Sequence, residues 1–382
     1  MTSNQTADTL HGWKRLDGVD VLRGLAILFV LLNHVNMRLR LAHVPYAQEL
    51  PRQLLSSLVW NAQRGVQMFF VVSGFLITTT SLRRWGTLSQ VDVRGFYRLR
   101  FARIAPLLLL LLAVLSGLHL ANINHYVVTA KTGGLGRALL AATTFHVNVL
   151  EARRGYLPGN WDILWSLSVE EMFYLFFPLL ARGLGRGKWF VALLCGLIAI
   201  GPFSRTVFAH GSEVWHEYSY LGSMDAIALG CLTALLVWKF RFSRPALWKI
   251  GVAGALLVTA CLCFSLRLES WGLERTGLDM SVLALGTGMI IVAAAQTAWQ
   301  GPRLLGPLLA LGRCSYEVYL THMFVVFVMF DVFLAFGRPM RAVPVLFTAV
   351  ILVAGVLGVG VSRFYSEPMN RRLRRPAPSV AR

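Results

Sequence analysis

Apolar residues fall along this sequence in runs of roughly 20, the length that carries a helix across the hydrocarbon of a bilayer, with short polar stretches between them. We read ten such runs, at 19–38, 59–80, 103–120, 162–181, 189–209, 219–238, 248–266, 279–299, 307–335 and 343–362. A further segment, 136–150, is apolar but too short to cross, and suits a re-entrant or interfacial helix. The pattern predicts an all-α polytopic membrane bundle of about ten transmembrane helices. No repeat, low-complexity tract or linker divides the chain, so 1–382 is read as a single membrane domain. Its flanks are read as a cytoplasmic N-terminal tail, 1–18, and a basic cytoplasmic C-terminal tail, 364–382. The loops at 39–58 and 121–161 are the longest on the outer side, where an extracytoplasmic substrate would arrive.

Composition sharpens this picture. Of 382 residues, 56% are hydrophobic and 14% charged, with mean hydropathy +0.59, which leaves no room for a large soluble domain. The net charge of +19 is read as a topology signal rather than a nucleic-acid footprint. With the N-terminus inside, the inner segments hold about 22 Lys and Arg and the outer ones about 13, while Arg23 and Arg313 fall within spans. Both termini are therefore expected in the cytoplasm. The five cysteines lie in apolar runs without metal-ligand spacing and read as small core residues. The polar N-terminal stretch lacks the short apolar core and small-residue cleavage site of a signal peptide.

The informative residues are polar ones inside apolar runs. Arg23 and His34 are 11 positions apart in "VLRGLAILFVLLNHV", which on an ideal helix leaves roughly 20° between them over roughly 16 Å, so they share a face. An ionisable group at mid-bilayer costs roughly 2.5–3.5 kcal/mol on insertion scales, and such groups usually turn inward and serve function. A neutral His34 hydrogen-bonded across helices is the plainer alternative. Ser73 and Gly74, in "FFVVSGFLIT", are small enough for close helix packing or for substrate contact. Arg98, Arg100 and Arg103 crowd the start of the third span, either as a phosphate site or as an ordinary positive-inside flank. Glu170 and Glu171 interrupt "WSLSVEEMFYL", and "LGRCSYEVYLTH" places Arg313, Tyr316, Glu317, Tyr319 and His322 in one expected span.

These blocks, with "YRLRFARIAP" and the closing "FYSEPMNRR", together resemble the acyltransferase-3 family of integral membrane O-acyltransferases over nearly the whole chain. The resemblance implies a ten-helix enzyme that moves an acyl group from cytoplasmic acyl-CoA, acetyl-CoA foremost, to a hydroxyl of a glycan, lipid or secondary metabolite. A bacterial inner or cytoplasmic membrane location is expected, and the cysteine spacing and charge pattern give no expectation of a metal or a nucleic-acid partner. It places the family's signature pair on Arg23 and His34, with the histidine catalytic. Its CoA-phosphate arginines fall on Arg100 and Arg103 ahead of Pro106, its glutamate on Glu170, and its Ser-Gly motif on Ser73 and Gly74. The chain departs from the family where Ser223 and Met224 stand before Asp225 in place of a basic residue. Some members of the family carry an additional soluble esterase-like domain after the membrane unit, and none is expected here.

Acyl transfer to an alcohol needs a base, a stabilised oxyanion and a grip on the donor. His34 is the expected base or transient acyl carrier, because imidazole titrates near neutrality. Glu170 is expected to orient its ring. Arg98, Arg100 and Arg103 are expected at an inner mouth for acyl-CoA and Arg23 along the passage, with Ser73, Gly74, Tyr319 and His322 as substrate or oxyanion candidates. Two other classes fit buried ionisable groups: a transporter or flippase of a lipid-linked sugar, and a non-catalytic membrane sensor. Dependence on acyl-CoA separates the first from an acyltransferase, and turnover separates the second.

Overall fold

The computed structural model describes residues 16–48, 50–209 and 212–374. Most of the expected N-terminal tail, including Lys14 and Arg15, and residues 375–382 of the basic tail lie outside them. Regular structure among the described residues is helical throughout. Ten stretches are long and apolar enough to cross a membrane, and the chain is an integral membrane protein. Their main helices are α1 (Asp17–Leu41), α2 (Ala62–Trp85), α3 (Val93–Leu120), α4 (Leu164–Leu184) and α5 (Lys188–Thr206), followed by α6 (Tyr220–Lys239), α7 (Arg244–Cys263), α8 (Leu278–Thr297), α9 (Ser315–Ala335) and α10 (Val343–Val361). We call the side on which α1 begins the near face and the other the far face.

Local chemistry sets several of the ends. Ser219 and Ser243 cap α6 and α7 by accepting the Gly222 and Ala246 N–H groups. Gly86, with φ of 74°, turns the chain out of α2 in a region that disfavours side chains. Two expectations change. The run at 307–335 is not one span: it breaks at Cys314 into a short helix, Gly306–Arg313, and α9. Arg313 therefore ends a helix at the near face, its side chain 42% exposed, and pairs with Asp17 (3.2 Å) and Asp20 (3.4 Å). It is not the buried intramembrane charge that an unbroken span predicted. The segment 136–150 forms two short helices, Gly134–Thr143 and Val147–Arg154, separated near Phe145, whose φ is 57°.

Small residues let the central helices approach closely, as membrane bundles require in the absence of a hydrophobic drive between helices. A methyl group at Gly74 of α2 would collide with the Ile227 carbonyl of α6, and one at Gly230 of α6 with the Val71 carbonyl of α2. This reciprocal contact locks α2 to α6. A buried ion pair fastens the same region. Asp225 on α6 meets Arg205 on α5 at 2.8 Å, and it also accepts from Gln67 of α2 (3.1 Å) and Ser281 of α8 (2.6 Å). The cation missing before Asp225 in sequence is thus supplied by α5, and Asp225 serves four-helix packing. At the near face the chain ends its tenth crossing in a π-helical turn, Ser362–Ser366, and a helix, Glu367–Arg374. The Tyr365 hydroxyl donates to the Pro106 carbonyl of α3 (3.1 Å).

Candidate active site

A cavity of about 450 Å³ opens among α1, α2, α3, α4 and α9 on the near side. Five arginines line it: Arg23, Arg84, Arg100, Arg103 and Arg374. Its polar wall includes Ser73, Ser166, Glu170, Tyr174, Ser315, Tyr316 and Tyr319. Three of the sequence-selected arginines are already paired within the fold. Arg100 Nη2 donates to Glu171 Oε1 at 2.9 Å and lies 3.8 Å from Glu170, with its guanidinium 3.7 Å from the centre of the Tyr174 ring. Arg103 meets Glu317 at 3.2 Å; the other carboxylate oxygen of Glu317 is buried without a partner among the described residues. Arg23 Nε donates to Ser315 Oγ at 3.1 Å and lies 3.9 Å from Asp20.

Glu170 sits at the centre of this wall. One oxygen accepts from both the Ser73 hydroxyl and the Tyr174 hydroxyl, each at 2.6 Å. The expected pairing of Glu170 with His34 is therefore corrected: Glu170 faces α2 and α3, and other groups hold the histidine. Tyr174 follows Glu170 by four residues, one turn along the same helix face, so the contact between them follows from their spacing.

His34 lies on α1 against α9. Its Nδ1 is 2.8 Å from the Val30 carbonyl oxygen and 3.3 Å from His322 Nε2. A carbonyl can only accept, so Nδ1 carries the proton. His322 Nδ1 in turn lies 2.6 Å from the Tyr319 carbonyl and donates to it, which leaves His322 Nε2 as a lone pair directed at His34. The two rings stand 4.9 Å apart at 57°. His34 Nε2, the remaining nitrogen, has no hydrogen-bond partner among the described residues. The histidine pair does not line the near cavity directly. The near cavity reaches Tyr319 and Leu320 on α9, and the Tyr319 ring centre is 5.8 Å from that of His322.

A second cavity, of about 330 Å³, lies toward the far face and is lined by Arg38, Asn124, His125, Gly159 and Phe327 among others. Arg38 is one helical turn beyond His34. Its guanidinium lies 4.4 Å over the Phe327 ring, on which His125 also stacks at 4.8 Å. Beside this cavity, Glu151 is fully buried and accepts the Leu157 N–H at 3.0 Å. Burial, with the Asp162 carboxyl beside it, pushes the Glu151 carboxyl well above the ordinary range. The short helix Gly159–Asp162 packs against α9, and there the Asn160 amide and Trp161 indole N–H are buried without partners among the described residues.

The structure thus gathers Arg23, Arg100, Arg103, Glu170, Ser73 and Tyr319 around one cavity and places His34 and His322 together beyond its inner end. Two candidates fall elsewhere. Arg98 is exposed and does not line the cavity, because the helical period turns it away from the side shared by Arg100 and Arg103. Gly74 is used up in the contact with α6, not in the cavity. Ser73 and Tyr319 line the cavity, but their hydroxyls are engaged, that of Tyr319 with Ser166 (2.7 Å) and the Ile163 carbonyl (2.9 Å). Sequence reading passed over Arg38, Arg84, Arg374, Asn160 and Trp161. The arginines merged with the flanking charges of their spans, and Asn160 and Trp161 precede α4 in what read as a loop.

The site is thus an intramembrane histidine pair beyond an arginine-lined cavity. A family model described as an acyltransferase domain matches residues 16–362, and the chain belongs to the acyltransferase-3 family. It is similar to O-acetyltransferase OatA of Staphylococcus aureus strains NCTC 8325 / PS 47 and COL, 24% identical over 331 residues in each case. The match covers 82% of this chain and 51% of each relative, so the chain spans about half the length of these curated relatives. No solved structure matches.

Proposed function

We propose that this protein is a membrane O-acyltransferase that takes an acyl group, acetyl foremost, from cytoplasmic acyl-CoA and passes it to a hydroxyl of a glycan, lipid or metabolite. Family membership supplies the reaction class, and the names of the relatives favour acetyl. The basic bias of the inner segments favours a cytoplasmic near face. The observation that carries the mechanism is the setting of His34. Its Nδ1 proton is held by Val30 and His322, and its Nε2 lone pair is left open.

In this reading the donor enters from the near cavity with its thioester toward Tyr319, and the acceptor comes from the far cavity past Arg38. Nε2 of His34 takes the hydroxyl proton as the alcohol oxygen bonds to the thioester carbonyl carbon. The tetrahedral intermediate collapses, the C–S bond breaks, and the imidazolium returns the proton to the departing thiolate. His322 Nε2 accepts from Nδ1–H throughout, which holds the ring and favours its transient positive charge. The protein needs no net proton exchange with solvent. His322 is buried and His34 partly accessible, and in this reading the thioester passes Tyr319, whose ring lies beside that of His322.

The test is transfer of labelled acetyl from acetyl-CoA by protein in lipid nanodiscs, with mass spectrometry of acylated glycans and lipids from expressing cells. His34→Ala is expected to reduce transfer by about a hundredfold to ten-thousandfold with an unchanged melting temperature. A variant of full activity removes the base assignment. Translocation of a sugar lipid without acetyl-CoA dependence replaces the reading with transport.

A further inference from the structure

We infer that Arg84 and Arg374, together with the indole of Trp85, form the grip on the phosphorylated nucleotide of the donor at the rim of the near cavity. The inference rests on the reading of acyl-CoA as donor, and it moves the phosphate contact away from Arg100 and Arg103. Of the five cavity arginines, three already have partners: Arg100 has Glu171 and Glu170, Arg103 has Glu317, and Arg23 has Asp20 and Ser315. Arg84 and Arg374 meet no carboxylate among the described residues. Arg84 lies 5.8 Å from the centre of the Trp85 ring, and Arg374 stands within electrostatic reach of Arg84 and Arg103.

The fold works to bring these like charges together. Arg84 ends α2, and Arg374 ends the last helix, which reaches the cavity because Tyr365 fastens its preceding turn to Pro106. Cations gathered at a cavity mouth without an anion repel one another, and a polyanion bound between them relieves that cost. Arg84 and Arg374 are exposed, whereas Arg100 and Arg103 are partly buried deeper in the wall. A ligand with a charged end held at the rim and an uncharged arm reaching inward fits that gradient. Trp85, also on the cavity wall, offers a ring face on which a base stacks. Phosphate could also come from an anionic lipid headgroup, since the same guanidinium chemistry recognises both.

The experiment measures transfer in nanodiscs of neutral phosphatidylcholine with three donors: acetyl-CoA, acetyl-CoA lacking its ribose phosphate, and S-acetylpantetheine. Arg84→Gln and Arg374→Gln are each expected to raise KM for acetyl-CoA about tenfold or more, the loss of a charge-assisted contact. Their kcat, and their turnover of S-acetylpantetheine, should match the wild type. If both variants keep the wild-type KM for acetyl-CoA, the grip lies elsewhere while the acyltransferase reading stands. If the wild type does not use acetyl-CoA at all, that reading fails and this inference with it. A variant effect seen only when phosphatidylglycerol is added assigns the site to lipid and overturns the inference. Should a variant fail to accumulate, adenosine bisphosphate must compete with acetyl-CoA on the wild type, and absence of competition overturns the proposal.

Discussion

His322 Nε2 lies 3.3 Å from His34 Nδ1, and the carbonyls of Val30 and Tyr319 fix the direction of the hydrogen bond between them. In the proposed mechanism His322 is a positioning residue for His34, acting on the nitrogen opposite the one left open. His322→Gln keeps an acceptor oxygen near the position of Nε2 and should hold kcat within about tenfold of wild type. His322→Leu removes the acceptor and should lower kcat by about tenfold to a hundredfold, a hydrogen bond to a developing charge, with KM for either substrate unchanged. Steady-state kinetics of the two variants decides the matter, and equal losses in both would make His322 a packing residue.

Glu151 gives a stability prediction with a definite sign. Its carboxyl titrates above its ordinary value of about 4.5 because it is buried beside Asp162. A raised carboxyl binds its proton more tightly in the folded state, so its contribution is complete below about pH 4.5 and is lost as pH rises toward the folded value. Glu151→Gln keeps the oxygen that accepts from Leu157 and removes the titration. Melting temperatures in detergent should therefore show the variant gaining on wild type at pH 8 and the gap closing toward pH 5; a pH-independent difference would contradict this.

The Arg205–Asp225 pair is predicted to matter for folding and not for chemistry. Removing one partner of a buried ion pair typically costs about 3–5 kcal/mol, because the other charge is stranded. Arg205→Met should lower the melting temperature sharply, and Arg205→Met with Asp225→Leu should recover much of the loss. Any folded fraction of the double variant should transfer acyl groups at the wild-type KM.

Gly74→Val should prevent assembly outright, since even a methyl group there meets the Ile227 carbonyl. Ser73→Ala, one residue away, removes only a hydrogen bond to Glu170 and should cost about 1 kcal/mol or less in stability. Size-exclusion profiles of the two variants test whether the Ser-Gly motif divides into a cavity residue and a packing residue.

The architecture was legible in the sequence because spans are long and apolar, and the chain has few ways to bury their backbone other than helices. The break at Cys314 was not, since "LLALGRCSYEVYLTH" carries no proline to mark it and its Arg313 and Ser315 read as polar residues within one continuous span. Within the site, relations along one helix were readable: Arg23 and His34 both turn toward α9, and Glu170 meets Tyr174 at one turn. Contacts between helices were not. Nothing in sequence assigns Glu171 to Arg100, Glu317 to Arg103 or His322 to His34, because each pairing depends on how separate helices rotate against one another. The expected partner of His34 was wrong for that reason.

The interlocked glycines of α2 and α6 also set which parts of the bundle can move. With Gly74 seated against the Ile227 backbone and Gly230 against that of Val71, those two helices leave little room to separate, and the cavity wall bearing Ser73 belongs to that tightly packed pair. On the proposed mechanism, any widening of the path to the histidines is then expected at the opposing wall, where the Tyr319 hydroxyl on α9 donates to the Ile163 carbonyl at the entry to α4.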